Sequence, residues 1–344
     1  MKNILIIQTA YAGDLILTTP LIHAAYDRFT PCRIDVLCIP STASLIRNNP
    51  FIHELILYDK RVDRFALKLL SSLRRTLKKK KYDIVLSPHR SFRSALIARF
   101  TGAEQRITFH TSSGSFFYTH RMFYDSHIHE VDRVLSLLPG SVQSAVSEYP
   151  PQLFLSASEK DEADEFLRGN NISRDFICIA PGSVWETKRW TSEGFTQLAR
   201  QIIEAGYDVV LIGGADDAGI CQIISGGSDQ RHCCISAGRV SFPASAELIR
   251  RSRLLISNDS APVHLASAMG TAAVDIYGPT SPSFGFAPYK IEHRIVRKTG
   301  LSCSPCHIHG QRNCPIKTFI CMKELDWKEV YSAAEQLLAK KMSD

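Results

Sequence analysis

The chain has 344 residues, more than one hydrophobic core usually holds, so two α/β domains are the first expectation. A hydrophobic share of 44% and a charged share of 22% exclude a disordered chain, and no apolar run nears the roughly 20 residues of a membrane helix. The formal net charge of +7 is uneven: residues 1–150 hold 20 Lys and Arg against 12 Asp and Glu, while the remainder holds 21 against 22.

In chain order, Asn3–Gln8 reads as a buried strand, its apolar run being too short for a secretion signal. The protein is therefore expected to stay in the cytoplasm. A small-residue loop follows, Thr9 to Asp14, and then a helical pattern from Leu15 to Phe29. Strands are expected at Arg33–Ile39 and Asp83–Ser87. After the paired prolines of Tyr149-Pro150-Pro151, the best linker candidate, further strands are expected at Phe176–Ala180, Asp208–Ile212, Leu254–Ser257 and Ala273–Tyr277. A terminal amphipathic helix runs from Trp327 to Leu338. Strands alternating with helices mean parallel sheets, giving an N-terminal domain at 1–150, a second at 151–326 and a terminal helix at 327–344. Ligands would bind at the carboxyl ends of both sheets, in a cleft between the two halves.

Several polar residues fall at those strand ends. Asp14 can act as a general base on a hydroxyl, or can simply start a helix. In Pro181–Trp190, a Gly-containing turn, the hydroxyls of Ser183 and Thr187 and the charge of Lys188 suit a phosphate; an ordinary solvated loop is the alternative. Asn258-Asp259-Ser260-Ala261-Pro262 opens a helix whose N-terminus suits a diphosphate, with His264 one turn in, as a ligand or as a structural histidine. Asp217, beyond a strand and two glycines, can accept from ribose hydroxyls. Cys303, Cys306, Cys314 and Cys321 can hold a structural zinc or remain packed thiols. The basic surface includes Arg61, Arg64, Arg90 and Arg93. Without aromatic interleaving it points to an anionic lipid-linked sugar or a membrane surface and away from nucleic acid.

Four segments in order carry a resemblance: Gly13-Asp14-Leu15-Ile16-Leu17-Thr18-Thr19-Pro20, Pro181–Trp190, Asn258–His264 and Tyr277-Gly278-Pro279-Thr280. Together they resemble glycosyltransferase family 9, the ADP-heptose:lipopolysaccharide heptosyltransferases. Cys303-Ser304-Pro305-Cys306 with Cys314-Pro315 and Cys321-Met322 looks like the heptosyltransferase II branch. The resemblance implies a GT-B fold of two Rossmann-like domains, with the acceptor on the first and ADP-heptose on the second. It also implies an inverting transfer needing no metal, in which Asp14 activates a hydroxyl of the lipid-linked, anionic inner core at the inner membrane face. Lys188 and the amides around Asp259, Ser260 and Ala261 would hold the diphosphate, and Ser183 and His264 match nucleotide-site positions. Ala261 departs from a common Gly, and Val184 from a hydroxyl residue. The alternatives are a GT-B transferase of another nucleotide sugar, or a non-catalytic nucleotide- or glycan-binding protein with a zinc-stapled tail.

Overall fold

The computed structural model describes residues 1–59, 67–140 and 148–341. The chain forms two compact units, Met1–Phe154 and Leu155–Asp344. The division falls past the paired prolines because the following residues stay with the first unit. The Gln152 amide donates to Thr19 Oγ1 at 3.0 Å, and Phe154 sets its edge on Phe51.

The first unit contains β1 (Lys2–Ile7), α1 (Ala12–Phe29), β2 (Cys32–Cys38), β3 (Glu54–Leu57), α2 (Leu67–Lys79), β4 (Ile84–Ser87), α3 (Phe92–Thr101), β5 (Gln105–Phe109), β6 (His120–Met122) and α4 (Glu130–Leu135). Its six strands are all parallel, in the order β3-β2-β1-β4-β5-β6. Ile4 to Ile7 are fully buried, as a strand covered on both faces requires. On one face Leu5, Ile7 and Val85 pack with Ala95, Ile97 and Ala98 of α3. Inside α1, Pro20 cannot donate a backbone hydrogen bond, and the Thr19 hydroxyl donates to the Ile16 carbonyl at 2.7 Å in its place.

The second unit contains α5 (Ala157–Gly169), β7 (Phe176–Ala180), α6 (Ser192–Glu204), β8 (Asp208–Leu211), α7 (Ala218–Gly226), β9 (Cys233–Ile235), α8 (Phe242–Arg251), β10 (Leu254–Asn258), α9 (Ala261–Met269), β11 (Ala273–Tyr277), β12 (His293–Arg297), α10 (Ile320–Lys323) and α11 (Trp327–Lys341). Its sheet, again all parallel, runs β12-β11-β10-β7-β8-β9. Ile177, Ile179, Leu211 and Ile256 pack there against Leu198 and Ile202 of α6 and Val330 and Leu337 of α11.

The two sheets share one topology. Counted within its own unit, each has the strand order 3-2-1-4-5-6 of a doubly wound fold. The order reverses between β1 and β4 in the first sheet and between β7 and β10 in the second. In doubly wound sheets ligands bind at the carboxyl edge beside such a reversal. Among the described residues no helix is long and apolar enough to cross a membrane.

Candidate active site

The loops at the first reversal follow β1 and β4. Asp14 is the third residue of α1, whose N-cap is Tyr11, so it is not itself the cap. Its carboxylate turns back and accepts from the Tyr11 amide at 3.3 Å, which fixes a half-buried acid at the sheet edge. Gln8 secures the same turn, donating to Thr18 Oγ1 at 2.9 Å and accepting from the Ala10 amide. Thr9 Oγ1 lies 2.8 Å from His89 Nδ1, which ties the β1 loop to the β4 loop across the reversal. Neither Gln8 nor His89 stands out in sequence, because each matters only through a contact the fold creates.

Arg90 follows His89. Its guanidinium lies over the Tyr124 ring at 4.1 Å, and the buried Arg133 lies over the same ring at 4.5 Å. Asp14 is close enough for its charge to act on both Tyr124 and Glu130. Asp14 and Arg90 thus belong to one electrostatic cluster, while Arg93 stands exposed in the first turn of α3. Arg61 and Arg64 lie outside the described residues.

The loops at the second reversal follow β7 and β10. Lys188 Nζ meets the buried Asp259 carboxylate at 2.7 Å, and Thr280 Oγ1 donates to the same oxygen at 2.6 Å. Three segments separated in sequence therefore converge on one point. Beneath them Asp275 of β11 is fully buried. Burial drives its proton affinity well above the usual carboxylate range, the Asp259 charge adds to this, and Lys188 opposes it.

Ser260 occupies the N-cap position of α9, yet its side chain does not cap the helix; Ser260 Oγ donates to the Gly182 carbonyl at 3.4 Å. The Ser260 side chain thus leaves the amide end of the helix at Ala261 uncapped, and Pro262 suits a position that needs no N–H donor. His264 is buried one turn in. Ser183 is buried, and its hydroxyl accepts from the Trp185 amide at 3.3 Å.

Thr187, read from the sequence as a phosphate donor, is engaged elsewhere. Its hydroxyl donates to the Gln311 carbonyl at 3.0 Å and accepts from the Gln311 amide at 2.7 Å. It ties the Lys188 loop to the cysteine-rich segment. Gly310 lies so close that a Cβ there would stand 2.8 Å from Lys188 Cγ.

Asp217 closes the far side of the β7 loop. Its carboxylate accepts from the Gly214 amide at 3.0 Å and approaches Gly182 so closely that a Cβ there would fall 2.1 Å from Oδ1. Burial raises its proton affinity, the Gly214 amide and Arg189 lower it, and Asp216 adds to the rise.

Of the four clustered cysteines, Cys306 is exposed and the others half-buried. The charges of Cys303, Cys306 and Cys314 all act on Cys321, so the four share one neighbourhood. For Cys314 burial acts upward, but backbone amides at Phe319, Ile316, Thr318 and Lys317 bring its thiol below the ordinary value. Among the described residues the three-ligand group that converges within 4.8 Å is Asp35, His53 and Glu54, not these sulfurs. Lys80 already bonds both of those carboxylates, at 2.9 and 2.5 Å. A four-sulfur metal site would need the segment to close further.

Each sheet therefore presents chemistry at its reversal point: a carboxylate among cations on the first, a lysine beside a helix N-terminus on the second. Two doubly wound sheets so equipped are the GT-B plan of glycosyltransferases. A profile of glycosyltransferase family 9 (heptosyltransferase) matches residues 70–317, and the chain belongs to that family. Lipopolysaccharide heptosyltransferase 3 of Escherichia coli is 28% identical over 288 residues, 80% of this chain and 83% of its own length. Lipopolysaccharide heptosyltransferase 2 of Salmonella typhimurium is 27% identical over 311 residues, 86% of this chain and 88% of its own. Among solved structures, a family 9 glycosyltransferase from Veillonella parvula superposes with a TM-score of 0.83 at 24% identity, covering 98% of this chain and 97% of the other. The E. coli ADP-heptose LPS heptosyltransferase II does so with a TM-score of 0.79 at 24% identity, covering 99% and 100%.

Proposed function

We propose that this glycosyltransferase moves heptose from ADP-heptose, with inversion, onto the anionic inner core of lipopolysaccharide, working in the cytoplasm at the inner membrane face. The observation that carries the reading is that Asp14 and Lys188 each stand at the reversal point of their own sheet, at the ligand-binding edge. The names of the related heptosyltransferases support the donor and the acceptor.

In this reading the acceptor occupies residues 1–150 and the donor residues 151–326. An acceptor hydroxyl attacks the anomeric carbon, forming the new C–O bond, and its proton passes to Asp14. The bond from that carbon to the phosphate oxygen breaks through an oxocarbenium-like transition state, and ADP leaves. Lys188 and the α9 amides at Ala261 take up the charge developing on the diphosphate. Because Lys188 is already paired with Asp259, the donor captures a pre-aimed cation and not a mobile one. Ser183, His264 and Asp217 border the nucleotide, and Arg90 and Arg93 face the anionic acceptor. The chemistry itself requires no metal. The cysteine segment acts by anchoring the Lys188 loop, whether or not a structural zinc tightens it.

Donor choice is tested by offering purified protein ADP-heptose and a panel of UDP-sugars with truncated core acceptors. Transfer from ADP-heptose is expected; a clear preference for a UDP-sugar would overturn the heptose assignment. In the same assay Asp14→Asn should lose at least about 100-fold in kcat with the fold intact.

A further inference from the structure

The mechanism gives no task to Glu130, the first residue of α4, yet its carboxyl oxygen accepts a hydrogen bond from Arg133 Nη1. Arg133 is 1% exposed, a costly place for a guanidinium unless its donors find acceptors. Its other nitrogens are anchored too: Nε donates to the Asp125 carbonyl at 2.7 Å and Nη2 to the Ile128 carbonyl at 2.7 Å. So held, Arg133 lies on the Tyr124 ring that Arg90 also covers. Helices α1 and α4 pack together, which brings this assembly beside Asp14.

We propose that Glu130 is a positioning residue for the acceptor: it fixes the Arg133–Tyr124–Arg90 stack, and its own charge sets how strongly the cluster beside Asp14 holds an anionic sugar. The proposal rests on the acceptor reading given above. The charged groups facing Glu130 are Arg133 on its own helix, Asp14 from α1 and Arg90 from the β4 loop, with the Tyr124 phenol from the segment after β6. Burial raises the Glu130 proton affinity to about 7; Arg133 opposes the rise and Asp14 adds to it. Below neutral pH the two guanidiniums outweigh Asp14 and the cluster is positive. As Glu130 ionises, that excess is cancelled, and an anionic acceptor is held less firmly.

The test follows KM for a Kdo-bearing lipid acceptor, KM for ADP-heptose, and kcat, from pH 6 to 8.5, in wild type and Glu130→Gln. The amide keeps the shape and removes the titration. Wild-type acceptor KM should rise roughly 3- to 10-fold through pH 7, the size of one charge acting at short range in a half-solvated site. Donor KM should stay constant to within about twofold, well below the change expected for the acceptor. Glu130→Gln should show no acceptor-KM step. Identical pH profiles for the two proteins, or a step confined to donor KM or kcat, would overturn the proposal. Equilibrium binding of the same lipid without donor gives the comparison independently of turnover. Absence of transfer by wild type would therefore count against the reaction, and an acceptor-affinity step shared by both proteins would count against Glu130.

Discussion

A buried carboxyl group that keeps its proton to about pH 7 leaves a mark on stability as well as on binding. An unfolded glutamate titrates near 4.3, so between about pH 4.5 and 7 the folded chain binds a proton at Glu130 that the unfolded chain has lost. Stability therefore falls as pH rises through that window and levels off above it. The difference amounts to about 4 kcal/mol at most for a side chain that is 13% exposed. Glu130→Gln should flatten this slope, and urea unfolding at several pH values reads it directly. At Lys188 two effects combine. Lys188→Ala removes the cation proposed for the diphosphate and strands the buried Asp259, a change that costs about 3–5 kcal/mol when a buried ion pair loses one member. Lys188→Ala with Asp259→Asn should recover most of that stability without recovering donor affinity. Recovery of both would mean that Lys188 serves only as a partner for Asp259.

At the scale of elements, the loop that carries Lys188 is held by the cysteine-rich segment through Thr187 and Gln311. Thr187→Val leaves the Gln311 amide without its acceptor, at about 1–3 kcal/mol. It should raise donor KM several-fold and leave acceptor KM unchanged; equal effects on both would place Thr187 in general stability. This role was hidden in the sequence, where a threonine beside a lysine reads as a phosphate donor, because its partner lies 124 residues away. The central strands were legible for the opposite reason. β1, β4, β7, β8, β10 and β11 are short, mainly apolar runs buried on both faces over most of their length, a pattern that needs no partner to be recognised even where Asp275 interrupts β11. β6, His120-Arg121-Met122, carries no such pattern; it is a strand because it pairs with β5 at the sheet edge. Asp259 could be read as a polar residue directly after a buried strand, and Asp14 and Lys188 as polar residues in the segments that follow one. His89 and Glu130 gain meaning only once distant loops meet.

At the scale of the whole molecule, the excess positive charge sits in residues 1–150, the half that carries Asp14. Exposed charges act on a ligand over about 8–10 Å at physiological ionic strength, so added salt should weaken acceptor capture more than donor capture. Raising NaCl from about 50 to 500 mM, which shortens that range severalfold, should increase acceptor KM several-fold with a smaller change in donor KM. A larger effect on the donor would remove the link between the basic half and the acceptor. The proposed transfer depends on the two reversal-point loops acting as base and diphosphate cradle. The most direct measurement is single-turnover transfer from ADP-heptose to a Kdo-bearing lipid acceptor by wild type and Asp14→Asn, with ADP binding followed in parallel. Wild type should transfer heptose, Asp14→Asn should lose transfer, and ADP binding should be unchanged between them. Undiminished transfer by a folded Asp14→Asn protein would contradict the role of Asp14 as base.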